Sequence, residues 1–231
     1  MNTHYSGSTF YFVLDSITRT TNADWFRFAR EDRAEGTAMK RALHSGDEKV
    51  LNVYSTGVTY PTIGYSTYPW QYSANPYKDG VVINHETVPG GSNIYYNEGK
   101  QLTHETGHWL GLYHVFDDGR SSCSDTDFVA DTPAQKFSTF GCPTERDTCP
   151  DQPGLDSIHN YMDYSYDSCM TEFTPGQIER MKAQTLTYRG IRGQTWPPII
   201  LTHIMDLPST VASAPIPVIT GVPIPAPGPH P

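Results

Sequence analysis

Leu102–His114, LTHETGHWLGLYH, packs three histidines, one glutamate and two glycines into thirteen residues. On a helix, two histidines four residues apart lie on the same face, separated by about 6 Å of rise, so His104 and His108 can offer imidazole nitrogens to one ion. Glu105 borders that face and reaches a water on the ion rather than the ion itself. Structural zinc takes four protein ligands, whereas catalytic zinc keeps one position open, so a third ligand decides between them. His114 supplies it if the chain leaves the helix sharply, and Gly111 fits that bend because glycine adopts positive φ without strain. The string matches HExxHxxGxxH at all five fixed positions. A solvated amphipathic helix would explain the polar face, but not Gly111 and His114 at those two distances.

The surroundings narrow the class. The 231 residues carry a formal charge of −9. That excess lies between Asp117 and Glu172, where twelve acidic residues face three basic ones. Nucleic-acid binding is not expected, because it needs clustered Lys and Arg to neutralise phosphates. The four cysteines, Cys123, Cys142, Cys149 and Cys169, all fall in the same segment. An even, clustered set without CxxC pairs reads as two disulfides in an oxidising compartment, with a four-cysteine zinc site as the alternative. No run approaches the ~18 apolar residues of a membrane span, and Phe10–Leu14 is too short for a signal-peptide core.

Thr9–Ile17 and Val50–Tyr54 read as strands, and Thr37–Leu43 as helix. Gly80–His85 reads as a third strand, at an edge near the cleft, where Gly80–Glu86 would align an extended peptide. The opening stretch reads as helix from Glu98 to Leu110. Loops held by disulfides follow, and then a helix capped by Thr174 and Pro175 runs to Arg189. Residues 197–231 hold ten of the nineteen prolines and a single charged residue, Asp206, so they are expected to form a disordered tail.

The string resembles the metzincin metallopeptidases, and that resemblance implies a methionine turn under the metal. Asn160-Tyr161-Met162-Asp163-Tyr164 fits it, with Met162 as the turn methionine and Tyr164 placed to help stabilise the transition state. Asp131-Thr132-Pro133-Ala134-Gln135, the Cys-Pro pairs at Cys142 and Cys149, and NYMDYSYDSCM leading into TPGQIERM are similar to the pappalysin branch, also called cytophagalysins, especially its secreted fungal members. The similarity spans about Phe10 to Tyr188.

The resemblance implies an α+β fold over residues 1–196. A twisted mixed sheet and the active-site helix would form an upper subdomain of about 1–111, and a loop-rich Met-turn region with a C-terminal helix a lower one of about 112–196. It implies one zinc on His104, His108 and His114, with Glu105 as general base. It also implies the pairings Cys123–Cys149 and Cys142–Cys169, and calcium in the loop after His114, with Asp125, Thr126, Asp127, Asp131 and Thr132 as candidates against a merely solvated acidic loop. The expected product is a secreted monomeric endopeptidase acting on proteins or peptides, basic ones favoured, with Asp163 or Asp167 near the pocket after the scissile bond. By the same resemblance a first strand and a long backing helix precede the segment that starts here at Met1, so an N-terminally truncated domain, its sheet a strand short, is expected. The alternative function is therefore a truncated homologue that binds zinc or a peptide without turnover.

Overall fold

The computed structural model describes residues 1–58, 62–119, 122–124, 127–192 and 199–202, with Ile199 the only described side chain of the last segment. Strands β1 (Phe12–Ser16), β2 (Val50–Thr56), β3 (Gly64–Ser66), β4 (Val81–Asn84) and β5 (Ile199–Thr202) form one sheet in the order β1-β5-β2-β4-β3. β1, β5, β2 and β4 run parallel, and β3 is antiparallel to β4. Helices α1 (Ala23–Phe28) and α2 (Ala34–Leu43) precede β2, while α3 (Lys100–Trp109) and α4 (Pro175–Arg189) follow β4.

Strand alternation explains the two faces of the sheet. Leu51, Val53, Val81 and Ile83 point to the main core, where they meet Trp109, Leu110, Leu112, Met162 and Met181. Tyr54 and Val82 point the other way, into a smaller core with Ala29 and Met39. Each fully buried aliphatic side chain there contributes about 1.5–3 kcal/mol. Asn52, also buried on β2, exchanges hydrogen bonds with the backbone N–H and C=O of Ser45, both at 3.0 Å, so its amide is not left bare.

Two expectations need correction. β4 lies between β2 and β3, so Gly80–Glu86 is no edge. The edge is β3, a three-residue strand in the tyrosine- and glycine-rich segment between β2 and β4, too short to show any periodicity. Within the stretch expected to be disordered, Ile199–Thr202 form β5, which pairs Ile199 with Phe12 on one side and Ile200 with Val50 on the other, while residues 197–198 and 203–231 lie outside the described ones. Its Ile-Ile-Leu-Thr run is made of strand-forming residues that the surrounding prolines mask in the composition. Helix α1, opened by Asn22 accepting from the N–H groups of Asp24 and Trp25, was not anticipated.

The lower part of the molecule has little regular structure. Cys123–Cys149 and Cys142–Cys169 are bonded, with sequence separations of 26 and 27. Loops of that length stabilise by about 3–4 kcal/mol each through restriction of the unfolded chain. Helix α4 opens with a capping box in which the Thr174 hydroxyl accepts from the Gln177 N–H and the Gln177 side chain accepts from the Thr174 N–H. It closes at Gly190, with φ +61°. Arg189, in the last turn of α4, reaches the carboxylate of buried Asp79 with two 2.9 Å hydrogen bonds, fastening α4 to the start of β4.

Candidate metal centre

Helix α3 carries His104 and His108 one turn apart, and the chain then turns back at Leu110–Gly111. Gly111 has φ +107°, and a Cβ there would sit 2.5 Å from Cβ of Gln184 on α4. Both the backbone conformation and the space therefore require glycine. The return brings His114 opposite the helix. The Nε2–Nε2 distances are 3.2 Å from His104 to His108, 3.1 Å from His108 to His114 and 3.2 Å from His104 to His114. Three nitrogens on a tetrahedral zinc, with bonds of about 2.05 Å, would stand about 3.3 Å apart.

The other ring nitrogens fix the tautomers. Nδ1 of His104 lies 2.7 Å from the Tyr161 carbonyl, that of His108 lies 2.8 Å from the Leu112 carbonyl, and that of His114 lies 2.6 Å from Oδ2 of Asp118. Each Nδ1–H donates to an oxygen, which leaves three Nε2 lone pairs converging on one point. Burial, with His114 beside it, holds His104 down to about 3. His108 is likewise pushed well below the usual imidazole range, burial being the first cause. Three imidazoles with converging Nε2 atoms fit a borderline-soft divalent ion such as zinc. Among the described residues this is the only group of three or more His, Cys, Asp or Glu side chains arranged to hold a metal.

The NYMDY segment lies against the same site. The Tyr161 carbonyl orients His104, and Asn160 accepts from the Met162 N–H at 2.9 Å. Asn160 is held in turn by the buried Gln177 side chain of α4. Met162 is fully buried, and a Cβ on Gly107 would come within 2.5 Å of its sulfur, so the thioether packs directly beneath α3. The Tyr164 ring stands 4.9 Å from that of His114 and 5.7 Å from that of His104. Burial raises its hydroxyl above the usual phenol range.

Glu105, on the same helix, accepts from Gln101 Nε2 at 2.7 Å, and burial pushes its carboxyl up to about 8. Gly64 of the edge strand closes over it, for a Cβ at Gly64 would lie 2.7 Å from Glu105 Oε1. Beside Glu105 opens a cavity of about 510 Å³, lined by His104, Gly64, Tyr95, Asp163, Tyr164 and Tyr166 among others. Asp163 is fully buried in its wall and accepts from the N–H groups of Thr139 and Tyr164 and from Gln135 Nε2. Asp167 does not line that cavity. Its Oδ2 accepts from the Glu98 and Lys100 N–H groups, serving the start of α3, whose cap residue Gly99 has no side chain to do so.

Of the calcium candidates, Asp125 and Thr126 lie outside the described residues. Of the remaining three, Asp127 and Thr132 meet each other, and Asp131 is engaged elsewhere. Asp127 accepts from the Val129 N–H and the Thr132 hydroxyl, whereas Asp131 accepts from the Thr174 hydroxyl and the Gly176 N–H at the opening of α4. His85 stands apart from the centre, with its Nδ1 3.2 Å from the Thr56 carbonyl. Sequence reasoning missed Gly64 and the Asp118 partner of His114. The four-residue spacing from His114 was the one available signal for Asp118.

A family model described as Peptidase_M43, pregnancy-associated plasma protein-A, matches residues 40–186. An extracellular metalloprotease of Arthroderma benhamiae is 47% identical over 195 residues, covering 82% of this chain and 68% of that protein. One of Pyricularia oryzae is 47% identical over 191 residues, covering 82% of this chain and 65% of that protein. Among solved structures, mature mirolysin of Tannerella forsythia in complex with a cleaved peptide superposes with a TM-score of 0.55 at 36% identity, covering 63% of this chain and 58% of that one. Mirolysin in complex with compound 9 gives 0.56 at 38% identity, covering 62% of this chain and 55% of that one. The chain thus spans roughly two thirds of these fungal relatives and little more than half of mirolysin. With a mixed sheet, three convergent histidines and Met162 packed beneath their helix, these matches establish that the chain belongs to the pappalysin family of metzincin-type metallopeptidases.

Proposed function

We propose that the chain is the catalytic part of an extracellular zinc endopeptidase in which Glu105 is the general base. The single observation that carries this reading is the convergence of three Nε2 lone pairs, each backed by an Nδ1–H donated to oxygen, two of them on the helix that also bears Glu105. Zinc bound there would supply a Lewis acid and a water acidified to near neutrality. Glu105 borders the cavity beside His104. There its carboxylate takes the water proton at Oε and passes it to the departing amine. Tyr164, beside His104 and His114, donates its hydroxyl proton in a hydrogen bond to the developing oxyanion, a role its raised pKa suits because the proton stays on oxygen.

The open edge of β3 aligns an extended peptide by strand addition. Asp163, unmatched by any cation among its hydrogen-bond partners, favours Arg or Lys in the cavity next to Glu105. Extracellular location is supported by the names of the fungal relatives and by the two disulfides. No helix among the described residues is long and apolar enough to cross a membrane. We take the working unit to be a monomer, with a protein or peptide as its partner and calcium, if bound, confined to the 125–132 loop.

The test is cleavage of casein and of Arg-containing quenched peptides by zinc-loaded protein, with Glu105→Ala as control. Hydrolysis abolished by phenanthroline, and lost in Glu105→Ala at unchanged zinc content, is expected. A folded, one-zinc wild type that cleaves none of them would instead favour a zinc- or peptide-binding homologue without turnover.

A further inference from the structure

Beside His108, and sharing no residue with the lining of the Asp163 cavity, lies a group of rings that the reaction above does not use. Tyr68 and Trp70 stack at 4.6 Å, and Tyr113 packs against both at 5.3 and 5.5 Å. Phe128 extends the group from Tyr113 at 5.7 Å, and Tyr188 extends it from Trp70 at 6.2 Å. The Tyr68 ring meets His108 edge-on at 5.4 Å, so this shelf is continuous with the metal centre. We infer that the shelf is a specificity subsite that takes an aromatic or large apolar side chain from the part of the substrate peptide N-terminal to the scissile bond. The assignment rests on the peptidase reading.

Direction follows from β3. The strand begins at Gly64, against Glu105 and the Asp163 cavity, and its chain continues to Tyr68 beside His108. A peptide adding to the open edge pairs more stably in the antiparallel sense, so it runs from the Tyr68 end towards the Gly64 end. Its earlier residues then cross the shelf while its later ones reach the cavity. At about 3.4 Å per residue, side chains two or three positions before the scissile bond come over Tyr68, Trp70 and Tyr113.

Two further observations support a ligand there. Phe128 is 69% exposed and holds φ +60°, a backbone conformation costly for a bulky residue. Backbone strain of this kind clusters at ligand contacts, and this ring stands at the rim of the shelf, where a bound side chain would meet it. The Arg180 guanidinium lies 5.0 Å from the Tyr113 ring and 5.4 Å from that of Phe128, anchored by Nε to the Gly111 carbonyl at 2.9 Å. The shelf is therefore apolar with a fixed cation. It accepts a ring and repels Lys or Arg, the reverse of the preference at Asp163.

Three labelled peptides test this, alike in carrying Arg after the scissile bond and differing in Phe, Gly or Lys at the second and third positions before it. Affinity is measured on the zinc-loaded full chain bearing Glu105→Ala, so that binding is read without turnover. The Phe peptide is expected to bind about tenfold more tightly than the Gly peptide, and the Lys peptide more weakly than either. Adding Trp70→Ala should bring Phe and Gly within about twofold. Adding Phe128→Gly should narrow the gap without lowering the thermal midpoint, because glycine accepts positive φ.

Equal binding of the Phe and Gly peptides, a preference that survives both substitutions, or binding of none of the three would overturn the inference. A second copy of the chain seated on the shelf would appear as a concentration-dependent dimer dissolved by Phe128→Gly, and would overturn it as well. Hydrolysis of the same peptides by the wild type is read separately. Selective binding without cleavage would sink the peptidase reading and leave the shelf standing.

Discussion

Replacing Arg189 with methionine should be among the most damaging single changes in the chain outside the metal centre. The guanidinium is fully buried and bonded to both oxygens of Asp79 at 2.9 Å. It also donates to the Glu48 carbonyl at 3.0 Å and the Trp109 carbonyl at 3.2 Å, and lies 3.7 Å above the Trp109 ring. Methionine fills much of the volume but leaves the Asp79 carboxylate buried with, among the described residues, only Trp109 Nε1 and the Thr67 hydroxyl as donors. Removing one partner of such a pair costs about 3–5 kcal/mol, most of it the uncompensated charge. With a urea m-value of about 2 kcal/mol per M, the unfolding midpoint should fall by about 1.5–2.5 M, disulfides intact. Asp79→Asn in the same background removes the stranded charge, and the double variant should recover about 2 kcal/mol over Arg189→Met alone. A midpoint drop below about 0.5 M in Arg189→Met would refute the reasoning. So would a double variant as unstable as the sum of the singles.

Asp118→Ala removes the acceptor of the His114 Nδ1–H and should weaken zinc binding about 10- to 100-fold in a chelator competition, since such partners fix the ring. Unchanged affinity would mean that solvent orients His114 as well as Asp118 does. Gly64→Ala places a Cβ 2.7 Å from Glu105 Oε1 and from Gln101 Nε2. It should lower kcat/KM on a quenched peptide at least about tenfold at unchanged zinc content, and an unaffected rate would show that Glu105 need not stand where Gly64 meets it. In metal-stripped protein, Glu105 has a carboxyl raised by burial to about 8, above its ordinary unfolded value. From about pH 4.5 to 8 the unfolded chain releases that proton first, so the stripped wild type should lose a few kcal/mol of stability relative to Glu105→Gln as pH rises. Parallel stability profiles of the two proteins over that window would refute the assigned environment.

What could be read from the chain beforehand follows the range of the interaction. His104, His108, Gly111 and His114 lie within thirteen residues, where helix geometry turns spacing directly into position, and the bend at Gly111 follows from conformational freedom alone. The Thr174–Gln177 cap of α4 is local in the same way. β3 was hidden because three residues show no alternation, and its place at the edge depends on a β4 partner that local pattern does not reveal. Asp79 and Arg189, 110 residues apart, carry no mutual signal, and neither do Gly64 and Glu105. The proline content of residues 197–231 outweighed Ile199–Thr202 because composition averages over a window. Whether four residues enter a sheet depends on whether their neighbours have a free ladder to offer.

β5 also bears on how the molecule comes to be made. It is the last described element in the chain, yet it sits between β1, among the first, and β2. Until Thr202 has been synthesised, β1 has no neighbour in the sheet among the described residues, and β2, buried along its whole length in the finished fold, presents one edge without its β5 partner. An apolar strand with an open ladder is a template for pairing with another chain, and the hazard lasts as long as the nascent polypeptide waits for its own C-terminal residues. Soluble yield, rather than catalytic rate, is therefore where sequence changes in residues 199–202 should first be felt.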